Sequence, residues 1–489
     1  FSVALTLQNL VYCFIGALLG TLVGVLPGIG PVTTVAMLLP ISFTLDPVPA
    51  MIMLAGIYYG AQYGGSTTAI LVKIPGEASS VVTTIDGYEM ARQGRAGPAL
   101  GIAALGSFFA GCVATLLICI AAPPLAAIAL NFGPAEYFSL MVCGLIAAVV
   151  LARGSVIKAI GMVVLGLLLG IGGTDVNSGV RRFTFGLTGL ADGIEFVALS
   201  MAVYGIAEVA TNLERKEDEV DVTARIGRVW PGWDDIRTCI PAVLRGTVLG
   251  SLLGVLPGGG ALLAAFGAYT LEKKVAKPPR RFGEGDIRGV AAPESANNAG
   301  AQTSFIPTLT LGIPSNPTMA MMIGALMIHG IAPGPRVMTE RPELFWGVIA
   351  SMWIGNLMLV ILNLPLVGMW VKLLRIPYRL MFPAIIAFCC IGAYTVNTNI
   401  FDVYVMAFFS VFGYICLKLD CEPAPLILGF VLGPLMEENL RRALLISRGD
   451  LMVLVQEPIS LAFLIAAALL LIVVAAPAIR RKREEALQE

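Results

Sequence analysis

GTLVGVLPG at Gly20–Gly28 recurs as GSLLGVLPG at Gly250–Gly258, and the same offset of 230 residues carries Gly16 onto Gly246 and Gly30 onto Gly260. Gly16, Gly20 and Gly24 are spaced by four, as are Gly246, Gly250 and Gly254. Glycines at that spacing share one helix face and let a second backbone approach closely. Each run then reaches a helix-breaking stretch, Pro27, Gly28 and Gly30 in the first and Pro257, Gly258 and Gly259 in the second. Broken backbone at membrane depth is tolerated only where it is buried in protein or lines a watery cavity. The helix that resumes beyond it presents free N–H groups, which attract anions without any basic side chain. A plain Pro-Gly turn at a membrane surface is the competing reading, and recurrence in both halves weighs against it.

A second echo follows in the same order. GAQYGGSTTAILVKIPG begins at Gly60 and GAQTSFIPTLTLGIPSN at Gly300, aligned with a one-residue gap before the Ile-Pro. The chain is therefore read as an internal duplication. Its surroundings are those of a membrane protein: 489 residues, 57% hydrophobic and 13% charged, a composition no soluble core requires. Asp46 is the only charged residue in positions 1–72, and Glu136 the only one in 97–151. About 20 apolar residues suffice to cross a bilayer as a helix, so ten to fourteen segments are expected, some spanning and some re-entrant, in an all-α fold. The apolar segment at 10–26 belongs to the fold rather than to a cleaved leader.

The hydrophilic stretch 211–238 divides a first membrane repeat, 1–210, from a second, 239–479, and residues 480–489 form a charged tail. Equivalent loops of the two repeats differ in charge. ISFTLDPVPAM has no Lys or Arg, whereas the loop from Lys273 to Arg288 has six. By the positive-inside rule the second loop is cytoplasmic, as are the linker and the tail, and the first need not be. Inverted repeats are the expectation, with corresponding hairpins meeting near the midplane.

Polar side chains in apolar surroundings supply the candidate ligands. The first repeat offers Thr33, Gln62, Ser66, Thr67, Pro75 and Gly76; the second offers Pro314, Ser315 and Asn316. These, with the two Pro-Gly breaks, are the expected solute-binding residues. In AAPESANNAGAQTS (Ala291–Ser304), Glu294, Ser295, Asn297, Asn298 and Gln302 provide oxygens suited to sodium, with Glu294 also able to carry a proton. Two bland readings stand beside this: Ser and Thr bonding their own helix carbonyls, and Pro293-Glu294 as an ordinary helix start. Lys73 either pairs with an anionic solute or reaches an interface. His329 reads as a packed residue, the segment 437–450 as a solvated loop, and the nine cysteines as packing residues. No nucleotide loop, zinc motif or nucleophile–histidine pair is present, so no enzyme is expected.

GTLVGVLPGIGP, GAQYGGSTTAILVKIPGE, DGYEMARQGRAGPALG (Asp86–Gly101) and PESANNAGAQTSFIPTLTLGIPSNPTMA together resemble the large membrane subunit of tripartite tricarboxylate transporters, the TctA family. The resemblance covers nearly the whole chain. It implies a carrier in the bacterial inner membrane, driven by an ion gradient. It also implies a small membrane subunit and a periplasmic solute-binding protein as partners, and carboxylates as solutes. No cofactor is implied beyond a coupling sodium ion or proton, and no nucleic-acid partner. An elevator-like alternating access is the expected motion; a channel, a non-transporting scaffold and an intramembrane enzyme are the alternatives.

Overall fold

Polar backbone groups have no partner in lipid, so an apolar chain must satisfy them within itself, and this one does so almost wholly as helices. The computed structural model describes all residues except 27–28, 153–154, 176–177, 215–226, 257–259, 279–280, 375–377 and 476–489. The first half contains α1 (Leu7–Gly24), α2 (Pro31–Ser42) and α3 (Pro47–Val72), then a 3-10 turn (Ala78–Val81). It continues through α4 (Thr83–Arg92), α5 (Ala96–Ala129), α6 (Pro134–Leu151) and α7 (Val156–Gly170). A two-residue hairpin pairs Gly173–Thr174 with Arg181–Arg182, and α8 (Phe196–Ser200) passes through a π turn (Met201–Ile206) into α9 (Ala207–Glu214).

The second half begins with α10 (Trp233–Leu253), α11 (Gly260–Val275), α12 (Arg288–Thr303), α13 (Phe305–Leu311) and α14 (Pro317–Ile328). It ends with α15 (Arg336–Glu340), α16 (Pro342–Asn363), α17 (Val367–Leu373), α18 (Tyr378–Asn397), α19 (Ile400–Lys418), α20 (Pro423–Ile446), α21 (Val453–Gln456) and α22 (Pro458–Ala475). Among the described residues six helices are long and apolar enough to cross a membrane, and six shorter apolar helices accompany them. The chain is an all-α, multi-pass membrane protein.

The glycine faces act as the spacing predicts. A Cβ at Gly16, Gly20 or Gly24 would overlap the backbone of Met53, Ile57 or Ala61 in α3, and Gly56, Gly60 and Gly64 face back against α1. In the second half a Cβ at Gly246, Gly250 or Gly254 would overlap the backbone of Ala292, Ala296 or Gly300 in α12. Both pairs run parallel, since the contacts climb together along each helix. The short α2 and α11 provide the return between them.

These contacts correct the alignment of the second echo. Ala61 takes the place of Gly300, and Lys73 that of Gly312, so the halves correspond at 239 positions throughout this block. Gln62 and Gln302 are therefore not structural equivalents. Lys73 and Gly312 both end their helices in the left-handed conformation, φ 59° and 72°, each just before an Ile-Pro pair. Glycine adopts that conformation without penalty; a side chain there costs about 1 kcal/mol. The Lys73 ammonium stands 5.6 Å over the Tyr88 ring rather than pairing with an acid.

α3 and α12–α13 pass each other in opposite directions, with Tyr58 against Phe305 and Ser66 against Glu294. The long helices are exchanged between halves: α5 packs on α12, and α16 packs on α3. Arg95 pairs with Asp235 at 2.7 Å, Gly97 and Gly101 meet the backbone of Arg228 and Val229, and Gln93 donates to Glu284 O. The linker end, the α4–α5 turn and the Lys273–Arg288 loop thus share one face. Asp46 starts α3, a helix of 26 residues, and its loop lies roughly 39 Å from the Lys73 end. The His329 ring packs on Phe43 at the Asp46 end.

The described ends of the linker are helical, up to Glu214 and again from Trp233, and one expectation changes. Glu437 and Arg441 belong to α20 and bind the hairpin rather than a solvated loop, through Arg182 to Glu437 at 2.7 Å and Arg441 to Asp175 at 3.2 Å. Substituting Ala for Gly20 or Gly250 should each lower stability by about 1–3 kcal/mol. Gly161→Ala, which meets nothing within 4 Å, should not. Thermal unfolding in detergent checks this, and three equal shifts would contradict the packing.

Candidate functional site

The start of α12 is set from the other half of the chain. Asp86, fully buried on α4, accepts hydrogen bonds from the Tyr269 hydroxyl at 2.8 Å and from the backbone N–H groups of Gly283, Gly285 and Asp286 at 2.8, 3.0 and 2.9 Å. Successive N–H groups curled around one carboxylate form an anion-holding nest. Next to it Arg288 binds Asp286 through two nitrogens and donates to Lys277 O at 2.7 Å. Burial opposes the Asp286 charge, yet the Arg288 side chain and backbone donors hold its carboxyl below the ordinary aspartate value.

This clasp begins α12 at Arg288, so Pro293 lies inside the helix and Glu294 is not in its first turn. The helix-start reading of Pro293-Glu294 fails for that reason. Pro293 has no N–H for the Gly289 carbonyl four residues back, and the helix is instead supported by packing on α5 and α10.

Glu294 sits between the halves. Ser66 donates to Oε2 and Thr83 to Oε1, both at 2.5 Å. Asn298 donates to the Ser107 hydroxyl at 2.7 Å and to Glu294 O at 3.1 Å, tying α12 to α5. Nearby, the Ile-Pro loops reach across to the opposite half in matching ways. The Asn297 amide donates to Glu77 Oε1 at 2.6 Å, and the Asn316 amide donates to the Tyr58 hydroxyl at 3.4 Å. Glu77 and Asn316 are 239 positions apart, and so are Tyr58 and Asn297. The two contacts therefore join matching positions with the halves exchanged, although the helix residue donates in the first and the loop residue in the second. Among the described residues the buried side-chain oxygens of Gln62, Asn297 and Gln302 have no partner.

The other predicted residues fall around this centre. Gly30 caps the N-terminus of α2 beside Gly76, and Gly76 follows Pro75 in a loop pressed on Gly65 and Gly24. Asn316 caps α14 by accepting from Met319 N at 2.9 Å, next to Pro314. The Ser315 hydroxyl donates to Ser304 O. Ser295 and Thr67 bond carbonyls of their own helices, as the bland reading has it, and Ser66 does so as well as binding Glu294. Thr33 turns away from the loops to Tyr204 O and the Glu208 carboxylate. Pro27, Gly28, Pro257, Gly258 and Gly259 lie outside the described residues.

Buried carboxylates, hydroxyls and amides thus gather where the two Ile-Pro loops meet, with the N-termini of α2 and α14 beside them. A family described as the Tripartite tricarboxylate transporter TctA family matches residues 10–428. The chain belongs to that family. Over all 489 residues this TctA-family chain is 59% identical to an uncharacterized 52.8 kDa protein in the TAR-I ttuC' 3'region of Agrobacterium vitis, covering 97% of that protein. An uncharacterized protein in the TAR-II ttuC' 3'region of the same organism is 59% identical over 240 residues, 49% of this chain and 99% of that protein. No solved structure matches the chain.

Tyr58, Tyr63, Thr83, Ser107 and Asn363 were not singled out in the sequence of this TctA-family protein, since nothing local tells which polar residues the fold brings to the centre. Asp86 opens the DGYEMARQGRAGPALG motif and carried a signal in being charged within it. A double-mutant cycle on Glu77→Ala and Asn297→Ala should show coupling of about 1.5–3 kcal/mol in unfolding free energy, as hydrogen bonds to charged groups do. The Tyr58→Phe and Asn316→Ala cycle should show less, in keeping with its 3.4 Å contact. Additivity in the first cycle would remove the cross-half bond.

Proposed function

We propose that this chain is the translocating subunit of a secondary carrier in the bacterial inner membrane. It imports di- and tricarboxylates or related organic acids, delivered by a periplasmic binding protein, together with a small membrane subunit and driven by a sodium or proton gradient. Membership of the TctA family supports the transport role. The observation that carries the mechanism is the reciprocal pair Glu77–Asn297 and Asn316–Tyr58. Equivalent helices running in opposite directions, joined by exchanged loops, support inverted repeats around a shared site. The loop at Pro75-Gly76 with Gln62 and the loop at Pro314-Ser315-Asn316 form the solute site. Anionic carboxylates are met there by amide N–H groups and by the N-termini of α2 and α14, not by a buried Arg or Lys.

Alternating access moves the motif-bearing helices against α6, α7, α20 and α22, which pack on one another. A thin gap lined by Pro317 of α14 and Ala424 of α20 lies between the two bodies. Vesicles containing this chain, its small subunit and the binding protein should take up citrate saturably, only with the binding protein present and an ion gradient imposed. Unsaturable flux without a gradient would identify a channel. A disulfide between cysteines at positions 317 and 424 should stop uptake, and unchanged uptake would contradict the motion.

A further inference from the structure

A small cavity lies beside Glu294, walled by Tyr63, Ser66 and Thr67 of α3, Ser107 of α5 and Asn363 at the end of α16. Its volume of about 20 Å³ holds one water molecule or one small ion and no organic solute. Its polar side chains offer mainly oxygens, and Leu100, Ala103, Ala104 and Leu364 complete the wall. Glu294 is 1% exposed and contributes the carboxylate, whose partners among the described residues are the Ser66 and Thr83 hydroxyls and no basic side chain. Tyr63 and Asn363 are 4% and 6% exposed, and among the described residues nothing bonds the Tyr63 hydroxyl or the Asn363 side-chain carbonyl. The Asn363 amide is already spent on Leu359 O at 2.9 Å, which fixes its carbonyl as the free group.

Two charges decide what such a cavity attracts. A buried carboxylate with no countercharge is costly, and hydroxyl donors meet only part of that cost. Asn363 and Leu364 form the C-terminus of α16, where the helix dipole is negative. Both features favour a cation and repel a carboxylate solute. Hard oxygen donors and a one-ion volume select a small alkali cation.

We propose that this cavity is a sodium site, with Glu294 supplying the charge and Tyr63, Asn363 and Ser107 supplying neutral oxygens. Ser107 lies roughly 17 Å along α5 from the Arg95–Asp235 pair, which places the ion well inside the membrane, on the linker side of the molecule. Its ligands come from both halves, so an ion here ties α3 and α5 to α12 and α16. The ion's role as the coupling ion rests on the transport reading; its binding does not.

Thermal unfolding of the purified full-length chain in detergent tests the site, with NaCl or choline chloride at equal ionic strength and fixed pH. Sodium should raise the melting temperature saturably and choline should not. Glu294→Gln should abolish the sodium effect, and Tyr63→Phe and Asn363→Ala should each weaken apparent sodium affinity by about tenfold, equal to about 1.4 kcal/mol. The wild-type comparison needs no variant to fold. Equal stabilisation by the two salts overturns the site, as does stabilisation that follows pH and ignores sodium, which marks Glu294 as a proton carrier. Sodium binding without carboxylate uptake overturns the transport reading and leaves the site standing; uptake with no sodium effect overturns the site alone.

Discussion

A polar side chain buried between α3 and α12 can be met only by another protein group, because lipid offers neither donor nor acceptor. Most of the central geometry follows from that constraint. Glu294 needs donors and finds them on Ser66 and Thr83, from the opposite half. Glu77 needs one and finds Asn297, while Asn316 turns to Tyr58. Each half is completed by the other. Among the described residues the oxygens left without a partner, on Gln62, Asn297, Gln302, Tyr63 and Asn363, are those on which the proposed solute and ion sites rest.

Bringing the halves this close depends on the absence of side chains elsewhere. α1 approaches α3, and α10 approaches α12, to backbone contact through glycine faces. Gly76 is pressed against Gly65 and near Gly24, so the first Ile-Pro loop folds directly over the α1–α3 contact and aims Glu77 at α12. On the linker side, the Asp86 nest and the Arg288–Asp286 pair set where α12 begins, and hence which turn carries Glu294 and Asn297. A motif at the linker-side face thereby fixes the register of α12 against the opposite half.

The membrane class, the duplication and the glycine faces were legible because they rest on composition and on spacing, which survive without tertiary information. The polar clusters were legible as clusters, since hydroxyls and amides are costly in apolar helices. The partners of those groups were not. Thr33 looked like a neighbour of the Gly30 break and instead bonds the π turn, because α2 rotates that face away from the loops. Pro293-Glu294 looked like a helix start, because local sequence cannot show a clasp made by Asp86 some 200 residues earlier. Tyr63, though inside a quoted motif, was not singled out, nor were Ser107 and Asn363, since each is unremarkable until three helices bring them to one cavity. The one-residue gap between the echoes was visible, but only backbone contacts show that the 239-residue register already holds along α3 and α12.

The central claim is that two equivalent halves oppose each other across one site. The most direct test replaces the nine native cysteines and places single cysteines at Asp46 and at Lys277, in the loops that correspond between halves. A membrane-impermeant thiol reagent is then applied to sealed vesicles of known orientation. The account predicts labelling of the two positions from opposite sides of the membrane. Labelling of both from the same side would contradict it.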